Sequence, residues 1–251
     1  MSIIGWFTDP AHWAGPDWVP ARLGEHLFYS GITLLVAIVV AVPIGVWVGH
    51  TGRGGFLVVG LANWLRALPD LGLLVLLVLL VGLGLLPIVL ALLVMAIPPL
   101  LAGSYAGISN VDRSVVDAAR GVGMRDREIL LKVELPNSLP LLLGGLRSAA
   151  LQVIATAAIA AYVSLGGLGR YIMDGQANHV PVEMAAGAVL IAVLALVVEA
   201  VLALVQRLVV SPGLRAAGAG QRRSPTRPAP KPAEPAAGEL AGARVSTGAN
   251  P

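Results

Sequence analysis

From Leu27 to Gly49 the chain reads LFYSGITLLVAIVVAVPIGVWVG, without one charged residue. A run of that length is hard to cover on a soluble surface, and about 20 apolar residues are what a helix needs to cross a hydrocarbon core. In that solvent every backbone polar group must be bonded within its own segment, so the run is expected to be helical. Composition agrees: 57% of the 251 residues are hydrophobic and 12% are charged, against roughly a quarter charged in soluble domains. There is no cysteine, which excludes disulfides, thiolate metal sites and a thiol nucleophile. The opening stretch MSIIGWFTDPAHWAGPDWVPARLGEH has neither a basic start nor a long apolar core, and is not expected to be a cleaved signal peptide.

The spacing of apolar runs predicts an all-α membrane protein with about five transmembrane helices. Leu27–Gly49 is the first, with Pro43 as an expected kink. Phe56–Leu68 is too short to cross before Pro69 and contains Arg66, so it is expected to lie at the interface. Leu71–Leu86 forms a short second span, and Pro87–Gly107 a third, bent at Pro98 and Pro99. Leu139–Ser164 and Val182–Gln206 complete the set; the alternative makes Phe56–Leu68 part of a sixth. The chain thus divides into an extracytoplasmic segment (1–25), a transmembrane domain (26–210) and a tail (211–251). The tail is rich in Pro, Ala, Gly and charge, cannot build a core and is expected to be disordered. Its basic half is expected near anionic lipid.

Lys and Arg set the expected orientation. Arg53 follows the first span. Arg113, Arg120, Arg125, Arg127 and Lys132 lie between the third and fourth, and Arg207, Arg215, Arg222 and Arg223 follow the last. Five spans put all three basic segments on one side, so the N-terminus is expected outside and the C-terminus in the cytoplasm. Trp6, Trp13 and Trp18, ahead of the first span, suit an aromatic belt or a docking surface for an outside partner.

No catalytic, cofactor-binding or metal-ligating residue is expected. His12, His26, His50 and His179 are scattered without an H-E-x-x-H pair, and neither a G-x-S-x-G elbow nor a phosphate-binding loop occurs. Ionisable groups inside spans are functional candidates. Glu199 either pairs with Arg147, at a similar depth, or lines a translocation path together with Gln152 and Thr156. The latter two serve equally well as hydrogen-bonding contacts between helices. Asp70, after Pro69, is a candidate helix cap.

One polar island interrupts the apolar pattern: DAARGVGMRDREILLKVELP, Asp117 to Pro136. Asp112 or Ser114 is positioned to cap a helix running to Arg120, with Val115, Val116, Ala118, Ala119 and Val122 on an apolar side. The sequence GVGM then breaks that helix. Asp126 is positioned to cap a second helix, with Ile129, Leu130 and Val133 on one face, which Leu135-Pro136 is expected to end. The result is an amphipathic helix–turn–helix over 111–136, with Asp117 and Arg120 projecting for ion pairs. A charged, solvated loop is the plainer reading.

The island resembles the coupling loop of importer-type ABC permeases, whose pattern is E-A-A, three residues, Gly, nine residues, Ile, one residue, Leu-Pro. Asp117-Ala118-Ala119 occupies the triplet, Gly123 the glycine, Val133 the isoleucine and Leu135-Pro136 the final pair, with every spacing kept. Asp replaces Glu and Val replaces Ile. DAARGVGM, VELPNSLPLLLGGLRSA, SLGGLGRYI and WLRALPDLGLLVLL look specifically like the glycine betaine/carnitine/choline branch. The resemblance implies that Asp117, Ala118, Ala119, Arg120, Gly121, Gly123, Val133, Leu135 and Pro136 couple to a separate ATP-binding subunit. That partner would hold the ATP and Mg, with no cofactor in this chain. A second permease subunit, identical or paralogous, and an extracytoplasmic substrate-binding protein are implied with it. The bilayer is the remaining partner, and nucleic acid is not one. Few aromatic residues line the spans, so an aromatic cage for a quaternary amine is expected in the binding protein. Methionine or another small solute is the alternative cargo; an intramembrane enzyme or a scaffold is the alternative class.

Overall fold

The computed structural model describes residues 2–15, 18–163 and 165–210; the tail lies outside the described residues, as does Ser164. The described residues are helical throughout, with no strand. A short α1 (Ile3–Thr8) and a 3₁₀ turn (Pro10–His12) precede α2 (Val19–Thr51), the first long span. Then come α3 (Gly55–Arg66), α4 (Asp70–Val81), α5 (Leu85–Ser109), α6 (Arg113–Gly121) and α7 (Asp126–Ile129). A π-helical turn (Leu130–Glu134) leads into α8 (Leu135–Thr156), which a 3₁₀ segment (Ala157–Val163) prolongs. The chain closes with α9 (Gly169–Ala177) and α10 (Pro181–Val209).

Four helical stretches are long and apolar enough to cross a membrane: α2, α5, the run from α7 to Val163, and α10. The second expected span, Leu71–Leu86, differs from the reading above. Gly82, at φ +91°, ends α4 after 12 residues, about 18 Å of helix and well short of a bilayer core. Only α3 and α4 together reach the required length, and they meet at 86°. The Leu71–Leu86 run is therefore half of a broken pair, with Phe56 and Trp64 exposed on the other half. Asp70 is the first residue of α4 rather than its cap, a position taken by Pro69. The first span starts at Val19, inside the stretch assigned to the N-terminal segment. Helix α5 runs unbroken through Pro98 and Pro99.

Helix α5 is the most buried span and α10 the least. Ile88, Leu92, Ala96 and Leu100 of α5 form the core with Ala37 and Ala41 of α2 and Ala149 and Val153 of α8. Lipid chains are as apolar as Leu, so helices in a membrane associate through close packing of small residues rather than by escaping water. Gly45 and Gly49 of α2 lie against Ser104 and Ile108 of α5, and Gly107 of α5 lies against Ser138 of α8. Gly103 and Gly145 face each other: a Cβ on Gly145 would stand 2.6 Å from the Pro99 carbonyl oxygen and 3.0 Å from the Gly103 Cα. Buried hydroxyls turn back on their own helices. Ser104 Oγ donates to the Leu100 carbonyl at 2.7 Å, and Thr33 Oγ1 to that of Tyr29 at 2.8 Å.

The N-terminal segment is part of this fold. Trp6 is buried, stacked on His12 at 4.1 Å and edge-on to Tyr171 of α9 at 5.4 Å. It is thus committed to internal packing. Trp13 and Trp18 remain exposed.

Candidate functional site

The island folds as a helix–turn–helix with a core of its own. Asp112 caps α6, its carboxylate accepting the Ser114 N–H at 2.9 Å. That bond, and a second to the Ser114 side chain, hold the Asp112 carboxyl below its ordinary range. After Gly121 the chain turns through Gly123 at φ +86°, a left-handed conformation that side chains resist. The second helix starts differently from the expectation: Asp126 is its first residue, and the Glu128 carboxylate reaches back to accept the Arg125 N–H at 3.1 Å. Val116, Ala119 and Ile129 form the buried centre, with Val111, Met124 and Val133 packed around them.

Leu135-Pro136 does not end the helix. The turn Leu130–Glu134 is π-helical, so one extra residue is accommodated just ahead of Pro136. A π turn of this kind relieves the clash a proline imposes on the preceding turn. Asn137 Nδ2 donates to the Val133 carbonyl at 2.7 Å across it. The second half of the island and α8 are thus one continuous helical rod from Asp126 to Val163.

The five small apolar residues of α6 and its C-cap, Val122, are divided. Val116 and Ala119 face inward, whereas Val115, Ala118 and Val122 are exposed, with Val122 80% accessible. Offsets of three and seven put those three on one stripe. Beside it, Asp117 and Arg120 are solvent-facing and 4.0 Å apart, and Arg120 is also 3.7 Å from Asp126. Gly121, Gly123 and Pro136 are exposed and Leu135 is half-buried.

The other candidate residues separate. Glu199 of α10 is held by Arg147 of α8: Nε and Nη2 of one guanidinium edge both donate to its carboxylate, Nε at 3.2 Å. Arg147 also donates to Gln206 Oε1 at 2.7 Å, and Gln206 Nε2 to the Pro140 carbonyl at 3.1 Å. Glu199 is thereby part of the α8–α10 joint. Gln152 keeps its carbonyl oxygen buried without a hydrogen-bond partner. Thr156 is the half-buried last residue of α8.

A cluster at the opposite end of the bundle was not legible in the sequence. Glu25 Oε2 accepts the Gly167 N–H at 2.7 Å and Arg22 Nη1 at 3.1 Å. His26, fully buried, places Nε2 2.9 Å from the Ile154 carbonyl oxygen. These bonds fasten the start of α2 to the connection between α8 and α9. An ionisable His inside an apolar span was the available signal, hidden because the span starts earlier than hydropathy indicates. Glu25→Ala is expected to lower stability by about 1 kcal/mol, the worth of an ordinary hydrogen bond, read as a fall in the unfolding temperature of the purified protein. Unchanged melting would show that water already serves that amide.

The family model for "Binding-protein-dependent transport system inner membrane component" matches residues 41–215. The glycine betaine/carnitine/choline transport system permease protein OpuCB of Bacillus subtilis is 34% identical over 194 residues, covering 77% of this chain and 89% of that protein. The chain belongs to the binding-protein-dependent transport permeases. The carnitine transport permease protein OpuCB of Listeria monocytogenes is 35% identical over 175 residues, 70% of this chain and 80% of its own length. The osmoprotectant import permease protein OsmW of Salmonella typhimurium is 30% identical over 196 residues, covering 76% and 91%. In structure, an inward-facing form of the MetNI methionine ABC transporter matches with a TM-score of 0.68. The match is 22% identical and covers 81% of this chain and all of that one, which establishes the fold. This permease is therefore a multi-pass membrane protein with the architecture of an ABC importer subunit.

Proposed function

We propose that this permease forms half of the translocation path of an ABC importer for quaternary-ammonium osmoprotectants such as glycine betaine, choline or carnitine. The observation that carries the reading is the α6 stripe: Val115, Ala118 and the C-cap residue Val122 are exposed on a helix that already has a packed core, with Asp117 and Arg120 beside them. A small apolar strip edged by charges of both signs suits a groove on a partner, the apolar contact supplying area and the charges register. The partner is an ATP-binding subunit that holds ATP and Mg; the relatives' cargo supports the substrate class. A second permease subunit closes the path, and an external binding protein delivers the solute. The N-terminus lies outside and the C-terminus in the cytoplasm, as the basic segments require.

In this reading the mechanism is rigid-body. Closure of the ATP-binding subunits displaces α6 and α7, whose shared core makes them move as one piece. The π turn joins that piece to α8 without a hinge, so the displacement enters the span. Glycine-lined contacts between α8 and α5 let one helix slide on the other, the shear form of domain motion. Gln152, Thr156 and Glu199 stand as candidates near the path, with Glu199 acting through its hold on Arg147.

The test is uptake of labelled glycine betaine at high osmolarity in cells lacking other importers. Asp117→Lys is expected to reduce uptake about tenfold or more, the effect of roughly 1.4 kcal/mol at a charged contact, with the protein still in the membrane. Normal uptake in that variant would overturn the docking role. Absence of uptake of any quaternary amine with all subunits expressed would overturn the substrate class.

A further inference from the structure

At the end of the bundle that carries the coupling segment, two side chains 84 residues apart meet: His50 Nδ1 stands 2.5 Å from Glu134 Oε2. Both are largely buried, with 17% and 9% of their side chains accessible. His50 is in the last turn of α2, two residues before Gly52, the αL glycine that ends it. Glu134 is the last residue of the π turn, immediately before Leu135-Pro136. Arg113, at the start of α6, lines the same cleft, as do Ile108 and Val116. The coupling-loop pattern leaves the position of Glu134 unspecified, and the docking reading does not use it.

We infer that the His50–Glu134 hydrogen bond is the strut that delivers movement of the coupling segment directly to α2. The inference rests on the function proposed above. Apart from the His26–Ile154 hydrogen bond at the far end of the bundle, α2 reaches α8 mainly by way of α5, through Gly45 and Gly49 on one side of α5 and Gly103 and Gly107 on the other. Contacts between small, smooth surfaces bear compression but allow sliding, so by themselves they pass little of an axial displacement onward. A directional hydrogen bond between two nearly buried side chains resists sliding, because separating them leaves a polar group unpaired in a low-dielectric site. The strut bypasses the two sliding contacts. It ties the rod that begins at Asp126 to the end of the first span, so α2 and α8 move together while α5 slides between them. His50 and Glu134 are positioning residues in this scheme and touch no solute.

The experiment uses the complete transporter, purified through this chain and placed in proteoliposomes with glycine betaine, its binding protein and ATP. His50→Leu and Glu134→Leu are each expected to lower uptake at least about fivefold while ATP hydrolysis persists, so that more ATP is consumed per solute moved. The exchanged pair His50→Glu with Glu134→His is expected to restore at least half of the wild-type ratio. Wild-type coupling in both single variants overturns the strut, and so does loss of hydrolysis in parallel with uptake, which marks a purely structural contact. An exchanged pair no better than the single variants also overturns it. A wild-type preparation that hydrolyses ATP without moving glycine betaine rejects the substrate class instead, and binding-protein-stimulated hydrolysis then reads the strut. A wild-type preparation with no ATPase removes the parent reading and the strut with it.

Discussion

Gly145→Val is expected to yield no folded protein in mild detergent, whereas Gly144→Val, one residue earlier, is expected to behave almost as wild type. A side chain at 145 begins 2.6 Å from the Pro99 carbonyl oxygen and 3.0 Å from the Gly103 Cα. Both obstacles are backbone, so no rotamer change makes room and α5 and α8 must separate. Overpacking a core costs about 1–3 kcal/mol where side chains can yield; against backbone the cost lies at or above the top of that range. Separation would also open the layer formed by Leu100, Ala149 and Val153. Total stabilities are only about 5–15 kcal/mol. At Gly144 an added Cβ meets nothing within 4 Å, and the change is worth no more than about 0.5 kcal/mol. The check is monodisperse yield by size-exclusion chromatography of the two variants side by side. A well-folded Gly145→Val protein would mean that α5 and α8 do not approach as closely as described.

Glu199→Leu should destabilise the protein by about 3 kcal/mol, and Arg147→Met by a similar amount, while the double variant loses much less than either. Each single change strands one charge among apolar helices, where an unpaired ion costs about 3 kcal/mol or more. Removing both leaves an apolar α8–α10 joint with nothing to desolvate, which is often neutral relative to the pair. Gln206 would keep its bond to the Pro140 carbonyl. Thermal unfolding of the four proteins in lipid nanodiscs gives the cycle. Additive losses would show that Arg147 and Glu199 are stabilised independently, by water or lipid head groups, and that the ion pair is incidental to how α10 is held.

The helix–turn–helix of the island was legible in detail because its signals are local. Asp112 as a cap, the break at GVGM and the apolar face of Ile129 and Val133 all follow from residues within one or two turns of each other. The error at Pro136 came from applying a local rule where a neighbouring turn had already changed the helix register: the π turn Leu130–Glu134 admits a proline that a regular helix would have rejected. The division of the α6 apolar side into Val116 and Ala119 inward and Val115, Ala118 and Val122 outward needed the position of α7. A nine-residue helix offers two adjacent stripes, and periodicity does not say which one another helix will cover.

By itself, the sequence determined that the chain is a bundle of membrane helices, where most of them run, and which polar segment interrupts them with a helix–turn–helix of its own. Those properties rest on apolar length, charge bias and short-range spacing, which need no knowledge of distant contacts. Only the tertiary structure decided that α3 and α4 make one broken pair, that Glu199 serves a joint with Arg147, and that His50 meets Glu134. Each of these depends on how elements distant in sequence are placed, and the close α2–α5 and α5–α8 contacts run through glycines whose role is visible only once a second helix lies against them.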